Sequence, residues 1–228
     1  MLVDLNLEGK FVAVVGGGTE ACRKTLDFLD AGAKILVVSN SFSKGITELG
    51  AAQKICLRKE EIQDADVFIK GLDPKPFVVV AVTNDHELNA QLFKSARSVG
   101  CIVYSPDNPS HSDIAIPAVA KVGDVKIAVS TSGKSPAMAS VLRKRVENTI
   151  THEDLLQIEL QEQMREVLKQ TVADQKTRKA ILYQIIEDAA VKELLEKDKF
   201  EDAKEKALET IKNTIQKSKW KIKTEMQS

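Results

Sequence analysis

A run of glycines near the N-terminus has the spacing of a dinucleotide-binding loop. The loop consists of Gly16, Gly17, Gly18, Thr19, Glu20 and Ala21. In the pattern G-x-G-x-x-G/A the first glycine permits a tight turn, the second lets backbone amides approach a pyrophosphate, and the small last residue lets helix and strand pack closely. A helix beginning here adds partial positive charge. We predict that this loop binds NAD, with NADP not excluded.

Polar residues after the second apolar run predict contacts to the ribose of the dinucleotide. An acidic residue about 20 positions beyond the glycines usually holds the ribose diol, but here the sequence is Ser39-Asn40-Ser41. Hydroxyl and amide groups also hydrogen-bond a ribose, so Ser39 and Asn40 are predicted cofactor contacts. Ser39, Ser41 and Lys44 also suit a 2′-phosphate, which leaves the choice between NAD and NADP open.

Thr83 and Asn84 follow the apolar run FVVVAV. Polar residues at the carboxyl end of a sheet strand line the ligand crevice of an open α/β fold, so both are predicted cofactor contacts. Asn84 or Asp85 is also suited to cap a helix that begins near His86. Capping and ligand contact are compatible, and we keep both.

The elements that must position these residues alternate between strand and helix. Strands are predicted at Lys10–Val15, Ile35–Val38, Lys54–Leu57, Phe77–Ala81 and Ile102–Tyr104, and helices at Glu20–Ala31 and His86–Val99. Continuous Val/Ile runs, rather than alternating ones, are typical of a parallel sheet covered on both faces. Residues 1–112 are therefore predicted to form a doubly wound α/β domain of the Rossmann type.

The pattern changes after Ile114. A hairpin is predicted from Ala118–Lys121 and Val125–Ser130, and Ser135-Pro136 is typical of a helix start. Residues 113–150 are thus predicted to form a small α+β segment. Residues 151–228 carry amphipathic stripes at helical spacing, which predict an all-helical C-terminal domain whose stripes pack on a core or on a partner subunit.

Composition excludes several classes of protein. Lys+Arg and Asp+Glu are both 33, so the formal net charge is zero, and aromatic residues are 4%. Neither value favours nucleic-acid binding. Three widely spaced cysteines without a CxxC pair predict neither a zinc ribbon nor a disulfide framework, and they suggest a reducing cytoplasm. No apolar run is long enough for a membrane span, and the start lacks a leader pattern.

Three motifs in order resemble one known family. They are VVGGGTEACRK, VTNDHELN and the stretch VYSPDNPSHSDIAIPAVAKVGDVKIAVSTSGKSP from Val103 to Pro136. Together they resemble the siroheme-synthase dehydrogenase family, which comprises precorrin-2 dehydrogenases, some of which are also sirohydrochlorin ferrochelatases. The resemblance implies a homodimer, with residues 113–150 as the dimerisation segment. It also implies NAD-dependent oxidation of precorrin-2 to sirohydrochlorin.

The resemblance also implies a catalytic carboxylate. The family's key aspartate precedes a P-A-x-x-x-x-G motif, and Asp107 occupies that place upstream of Pro117-Ala118 and Gly123. A carboxylate there can accept a proton or steady a developing cation. From the residues alone, Pro106-Asp107-Asn108-Pro109 is typical of a turn, so the assignment depends on the resemblance.

The family's S-T-G-G-x-S-P is similar to Ser130–Pro136, with Ser132 in the place of a glycine. Precorrin-2 carries many carboxylates, and a loop before a helix N-terminus suits an anion. The predicted substrate contacts are Thr131, Ser132, Gly133 and Lys134. No metal site is predicted, because no His/Cys cluster has ligand spacing. Ferrochelatase activity remains an alternative, although few candidate bases are present.

Two interpretations from other classes compete. The stretch AVSTSGKS, Ala128 to Ser135, resembles a relaxed phosphate loop, which would make the chain a nucleotide hydrolase. Pro136 and the strand pattern at Val129–Thr131 disfavour it. The second alternative is a non-enzymatic dinucleotide sensor that signals through its helical surface. It predicts normal cofactor affinity without turnover of any tetrapyrrole.

Overall fold

The computed structural model describes residues 2–106 and 108–225, and residues 217–225 by their backbone alone. The chain divides into two units, the first ending at Ile116 and the second beginning at Pro117. Each unit has its own buried core.

Five parallel strands form the sheet of the first unit. They are β1 (Phe11–Val15), β2 (Lys34–Ser39), β3 (Cys56–Lys59), β4 (Val78–Ala81) and β5 (Ile102–Tyr104). Their spatial order is β3-β2-β1-β4-β5, and every neighbouring pair is parallel. The direction of winding reverses between β1 and β4, which is the switch point where open α/β sheets bind ligands.

Four helices cover the two faces of this sheet. They are α1 (Thr19–Asp30), α2 (Lys44–Ala51), α3 (Ala65–Lys70) and α4 (His86–Ser98). On one face, Ala21, Phe28 and Ile46 of α1 and α2 pack on alternate residues of the central strands. On the other face, Phe68 and Leu92 of α3 and α4 do the same. The predicted doubly wound Rossmann-type fold is confirmed.

The second unit begins with an antiparallel hairpin, β6 (Ala118–Val122) and β7 (Val125–Val129). Helix α5 (Pro136–Glu147) follows, and the Ser135 side chain caps it by accepting from the Met138 N–H. Both this hairpin and this cap were predicted from the sequence. Ala139 is the buried residue of α5, whereas the apolar side chains of Met138, Val141 and Val146 are exposed.

Four helices complete the second unit: α6 (His152–Thr171), α7 (Gln175–Glu187), α8 (Ala189–Glu196) and α9 (Phe200–Glu225). Their predicted apolar stripes meet in one core. Its fully enclosed members include Leu160, Met164, Leu168, Ile181, Ile185, Ala203 and Ala207. The interpretation of the stripes as core packing is therefore confirmed.

Two helices of the first unit were not predicted from the sequence. Helix α2 has eight residues, two of them glycine, and α3 has six residues, so neither carries a long periodic signal. The strand predicted at Lys54–Leu57 lies two residues further along as β3. All four of its residues are exposed, because it is an edge strand and has no continuous apolar run.

Candidate dinucleotide-binding site

Gly16 turns the chain at the end of β1 and touches the neighbouring turn. Its φ is +130°, a value that L side chains rarely adopt. Its N–H donates to the Val38 carbonyl at 2.9 Å. A Cβ built on Gly16 would lie 2.7 Å from the carbonyl oxygen of Val82, which follows β4. The glycine loop and the turn after β4 are therefore in direct backbone contact.

Gly17 supports the loop after β2. The Ser43 N–H donates to the Gly17 carbonyl at 2.7 Å. A Cβ on Gly17 would lie 1.8 Å from the carbonyl oxygen of Ser41. Packing therefore requires glycine at the middle position of the motif, although the pattern G-x-G-x-x-G/A allows any residue there. The triple-glycine run was the sequence signal for this contact.

Gly18 provides the room that a pyrophosphate would need. A Cβ built on it would meet nothing within 4 Å, and the residue is exposed. Gly18 is also the N-cap of α1, and among the described residues no side chain forms a cap hydrogen bond to that helix. The first-turn amides and the helix dipole therefore face open space, as anion binding requires. The loop fits a dinucleotide.

The other residues of the loop have distinct surroundings. Ala21 is buried against the sheet, and Thr19 is exposed. Glu20 accepts hydrogen bonds from Arg23 at 2.6 and 2.9 Å. The hydrogen bond from Arg23 holds the pKa of Glu20 below its ordinary value. The Glu20 carboxylate is thus charged and turned along its own helix.

Ser39 and Asn40 lie at the carboxyl end of β2. The Ser41 N–H donates to Ser39 Oγ at 3.4 Å, and Ser41 Oγ donates to Asn40 Oδ1 at 3.3 Å. Lys44 at the start of α2 is exposed and lies 3.8 Å from Glu48. The loop thus offers hydroxyl and amide groups to a ribose. Lys44 adds a positive charge at the start of α2, and its paired carboxylate, Glu48, lies one helical turn further along.

The turn after β4 is held by its own side chains. Asp85 caps α4 by accepting from the N–H groups of Glu87 and Leu88. Of the two predicted caps, Asp85 is therefore the correct one. Thr83 forms hydrogen bonds with the Asn89 side chain, whereas Asn84 is exposed. Thr83 and Asn84 were predicted at this site from the sequence, whereas Asn89 was not.

The chain that leaves β5 is fixed by an ion pair. Arg97 donates to Asp113 at 2.9 and 3.0 Å and to the His111 carbonyl at 2.7 Å, and Asp113 also accepts from the Val103 N–H at 2.8 Å. Burial by itself would raise the pKa of Asp113. The hydrogen bonds from Arg97 and Val103 outweigh it, so the pKa lies below its ordinary value. Asp107, the predicted catalytic residue, lies outside the described residues.

The predicted substrate loop lies in the second unit, between β7 and α5. Ser132 and Gly133 are both left-handed, with φ of +52° and +77°. The N–H groups of Ser132, Lys134 and Ser135 donate within the loop, to Ser130 Oγ, to the Thr131 carbonyl and to Thr131 Oγ1. These bonds disfavour a phosphate loop, which would turn such amides toward a nucleotide. The Lys134 side chain is exposed.

The structure thus brings the predicted cofactor residues together at one edge of the sheet. The loops after β1, β2 and β4 meet through Gly16, Gly17, Val82 and Ser41, and Ser39, Asn40, Thr83 and Asn84 belong to the same loops. In the part of the chain that the structure describes, no group of three or more His, Cys, Asp or Glu residues is arranged to hold a metal ion. No helix among the described residues is long and apolar enough to cross a membrane.

Comparison with known proteins agrees with this geometry. Residues 3–118 match the family described as "Putative NAD(P)-binding", and residues 122–149 match the family described as "Sirohaem biosynthesis protein central". The first match covers the sheet and its glycine loop, and the second covers the hairpin turn through α5.

Individual relatives are similar in sequence over most of this chain. A precorrin-2 dehydrogenase of Methanosarcina barkeri is 35% identical over 188 residues, which are 82% of this chain and 83% of that protein. A siroheme synthase of Hydrogenovibrio crunogenus is 28% identical over 93% of this chain, but the match spans 45% of that longer protein.

A solved structure described as SirC, precorrin-2 dehydrogenase, is also similar. It superimposes with a TM-score of 0.70 at 25% identity, over 92% of this chain and 99% of that one. The match therefore extends over both units of the chain. This chain belongs to the NAD(P)-binding family of precorrin-2 dehydrogenases and siroheme synthases.

Proposed function

We propose that this chain is a precorrin-2 dehydrogenase, which oxidises precorrin-2 to sirohydrochlorin with NAD as hydride acceptor in siroheme biosynthesis. One observation carries the proposal: the 35% identity to a protein of that name extends over 82% of this chain. The open glycine loop at the switch point supports it, because a hydride-transferring enzyme of this fold needs a dinucleotide there.

The residues that would hold the cofactor lie on three loops. Gly18 and the first-turn amides of α1 receive the pyrophosphate, and Gly16 and Gly17 shape the loop that presents them. Ser39 and Asn40 hydrogen-bond the adenosine ribose. Thr83 and Asn84 line the remaining side of the crevice. When bound, the nicotinamide supplies the acceptor for two electrons and one proton in the form of a hydride.

Asp107 is the proposed catalytic residue. Removal of a hydride leaves a cationic macrocycle that must lose a proton, and the Asp107 carboxylate would accept that proton. Thr131, Ser132, Gly133 and Lys134 would bind a substrate carboxylate. The exposed Lys134 ammonium supplies positive charge there, whereas Arg143 is committed to Glu147 at 2.6 Å.

The test is conversion of precorrin-2 by the purified full-length protein. Precorrin-2 is mixed with NAD or NADP, and the absorption spectrum of the tetrapyrrole is followed. Formation of sirohydrochlorin that depends on dinucleotide and enzyme supports the proposal, and a mixture without dinucleotide measures spontaneous oxidation. Absence of enzyme-dependent product with both dinucleotides would contradict it. Normal NADH binding without turnover would instead favour a dinucleotide sensor.

We also propose a homodimer in which residues 113–150 form the dimerisation segment between a dinucleotide domain (1–112) and a helical domain (151–228). Exposed apolar side chains on the hairpin and α5 support it, namely Val119, Met138, Val141 and Val146. A second copy would remove this surface from water. Light scattering should give twice the monomer mass of 25.1 kDa, and a monomer at assay concentration would contradict the dimer.

The same proposal places the enzyme in the cytoplasm. Cys22, Cys56 and Cys101 are all free thiols, which suits a reducing compartment. Fractionation of cells that express the chain should recover it with cytoplasmic markers. Recovery with another compartment would contradict the assignment.

A further inference from the structure

The side chain of Asn89, on the first turns of α4, is hydrogen-bonded to Thr83, which lies two residues beyond the end of β4. Asn89 Oδ1 accepts from Thr83 Oγ1 at 2.7 Å and from the Thr83 N–H at 3.3 Å, and Asn89 Nδ2 donates to the Thr83 carbonyl at 3.0 Å. Asn89 is 7% exposed. One buried amide therefore satisfies both backbone groups and the hydroxyl of a single residue.

The network continues into the cap of α4. The Asp85 N–H donates to Thr83 Oγ1 at 3.2 Å, and the Asn89 N–H donates to the Asp85 carbonyl at 3.0 Å. Asp85 Oδ1 accepts from the two helical N–H groups that it caps. Side chain and backbone thus close a ring of hydrogen bonds around the turn, which makes the turn more rigid.

This turn adjoins the glycine loop. Val82 precedes Thr83 directly, its N–H donates to the Val15 carbonyl at 2.9 Å, and its own carbonyl would lie 2.7 Å from a Cβ on Gly16. A shift of Thr83 would therefore move the backbone against which the glycine loop is packed. Because the polar groups of Thr83 are committed to Asn89, the exposed Asn84 is the side chain of this turn that remains available to a ligand.

We infer that Asn89 is a positioning residue for the dinucleotide: it fixes the β4–α4 turn so that Asn84 and the glycine loop hold the cofactor without reorganising. The inference rests on the proposed function. Position 89 needs a side chain that both donates and accepts hydrogen bonds. An amide does both, a carboxylate only accepts, and an alkyl group does neither. A preorganised turn raises affinity because less conformational entropy is lost on binding.

The experiment compares NADH binding to the wild-type protein, Asn89→Asp and Asn89→Leu by fluorescence titration at several pH values from 5 to 8.5. At pH 8.5 a carboxylate cannot donate to the Thr83 carbonyl, so we expect Asn89→Asp to bind about tenfold more weakly than wild type. Burial raises the pKa of a carboxyl group. Protonation at low pH then restores a hydrogen-bond donor, and the ratio of the Kd of Asn89→Asp to the Kd of wild type should fall toward one. Asn89→Leu should be weakened equally at every pH.

The titration of neighbouring ionisable groups does not affect this comparison of NADH affinities. Asp85, His86 and Glu87 lie on the turn and the first turn of α4, and on α3 Asp66 is paired with Lys70. All five are present in every variant, so division by the wild-type value at each pH cancels their titration. Gln91→Glu places a carboxylate at an exposed position of α4, and it should bind NADH as wild type does throughout.

A merely structural Asn89 would lower the melting temperature of its variants but leave the NADH affinity of the folded protein unchanged. NADH binding within twofold of wild type in both variants, or an equal ratio of Kd values between Asn89→Asp and wild type at every pH, would overturn the inference.

If Asn89→Asp does not fold, Thr83→Val provides a second test, because it removes one hydroxyl and leaves both backbone hydrogen bonds. About threefold weaker NADH binding is then expected, and unchanged binding overturns the inference. Failure of the wild type to bind both NADH and NADPH would instead refute the proposed function.

Discussion

A methyl group on Gly17 would lie 1.8 Å from the carbonyl oxygen of Ser41. Backbone atoms meet at this point, so no side-chain rotation relieves the contact. We expect Gly17→Ala to lower the free energy of unfolding by about 1–3 kcal/mol, as overpacking does, and to weaken NADH binding because the loop must shift. Urea denaturation and NADH titration measure the two effects.

Gly18→Ala is the matched control, because its added methyl group would meet no described atom within 4 Å and Gly18 has an extended backbone. Its stability should fall by less than about 1 kcal/mol, while NADH binding should weaken because the methyl group occupies the proposed pyrophosphate space. Gly17→Ala with wild-type stability would contradict the packing described here.

Asp107→Asn should separate catalysis from binding. If the carboxylate accepts the proton, turnover of precorrin-2 should fall by about 10²–10⁴-fold, while the Kd for NADH stays unchanged. Steady-state rates and a direct NADH titration check both parts. Wild-type turnover in this variant would remove Asp107 from the proposed mechanism.

Ser132 has a left-handed backbone, with φ of +52°, at a position where a side chain costs about 1–2 kcal/mol relative to glycine. Ser132→Gly should therefore raise the free energy of unfolding by about 0.5–1 kcal/mol, once the greater freedom of glycine in the unfolded chain is subtracted. Thermal and urea denaturation measure the change.

Gly133→Ala tests the same loop in the opposite direction. Gly133 has a φ of +77°, and a Cβ there would meet no described atom within 4 Å, so its effect isolates backbone strain. Stability should fall by about 1 kcal/mol. A rise with Gly133→Ala, or a fall with Ser132→Gly, would contradict the left-handed assignment.

The Arg97–Asp113 pair predicts sensitivity to acid. The pKa of Asp113 lies below its ordinary value of 3.8, so the pair stabilises the folded state above that pH. The contribution is lost as pH falls through the lowered pKa. The Asp113 side chain is 38% exposed, so the effect should stay below about 1 kcal/mol.

Asp113→Asn removes this titration while it keeps an acceptor for the Val103 N–H. Urea denaturation from pH 6 to pH 2.5 should show that stability falls less steeply in the variant than in wild type. Equal slopes would show that Asp113 does not carry this linkage.

The sequence predicted much of the first unit because its signals are local. Val12–Val15 and Ile35–Val38 are continuous apolar runs, and Gly16–Ala21 follows one of them at the spacing of a known turn. The helix starts at Ser135 and near Asp85 were predictable for the same reason, since a cap and its helix are adjacent in the chain. Helices α2 and α3 were missed because each is too short to carry a long periodic signal, and strand β3 was predicted two residues too early because its four exposed residues form no continuous apolar run.

What the sequence determined by itself is therefore the order of the strands and of the longer helices, and the identity of the glycine loop. The tertiary structure alone decided that a side chain at position 17 would collide with the Ser41 carbonyl, that Val82 lies against Gly16, and that Asn89 is hydrogen-bonded to Thr83. These contacts join loops that follow different strands. Strand order sets which loops become neighbours, and hydrogen bonding across those loops sets which side chains remain for a ligand, so neither appears as spacing along the chain.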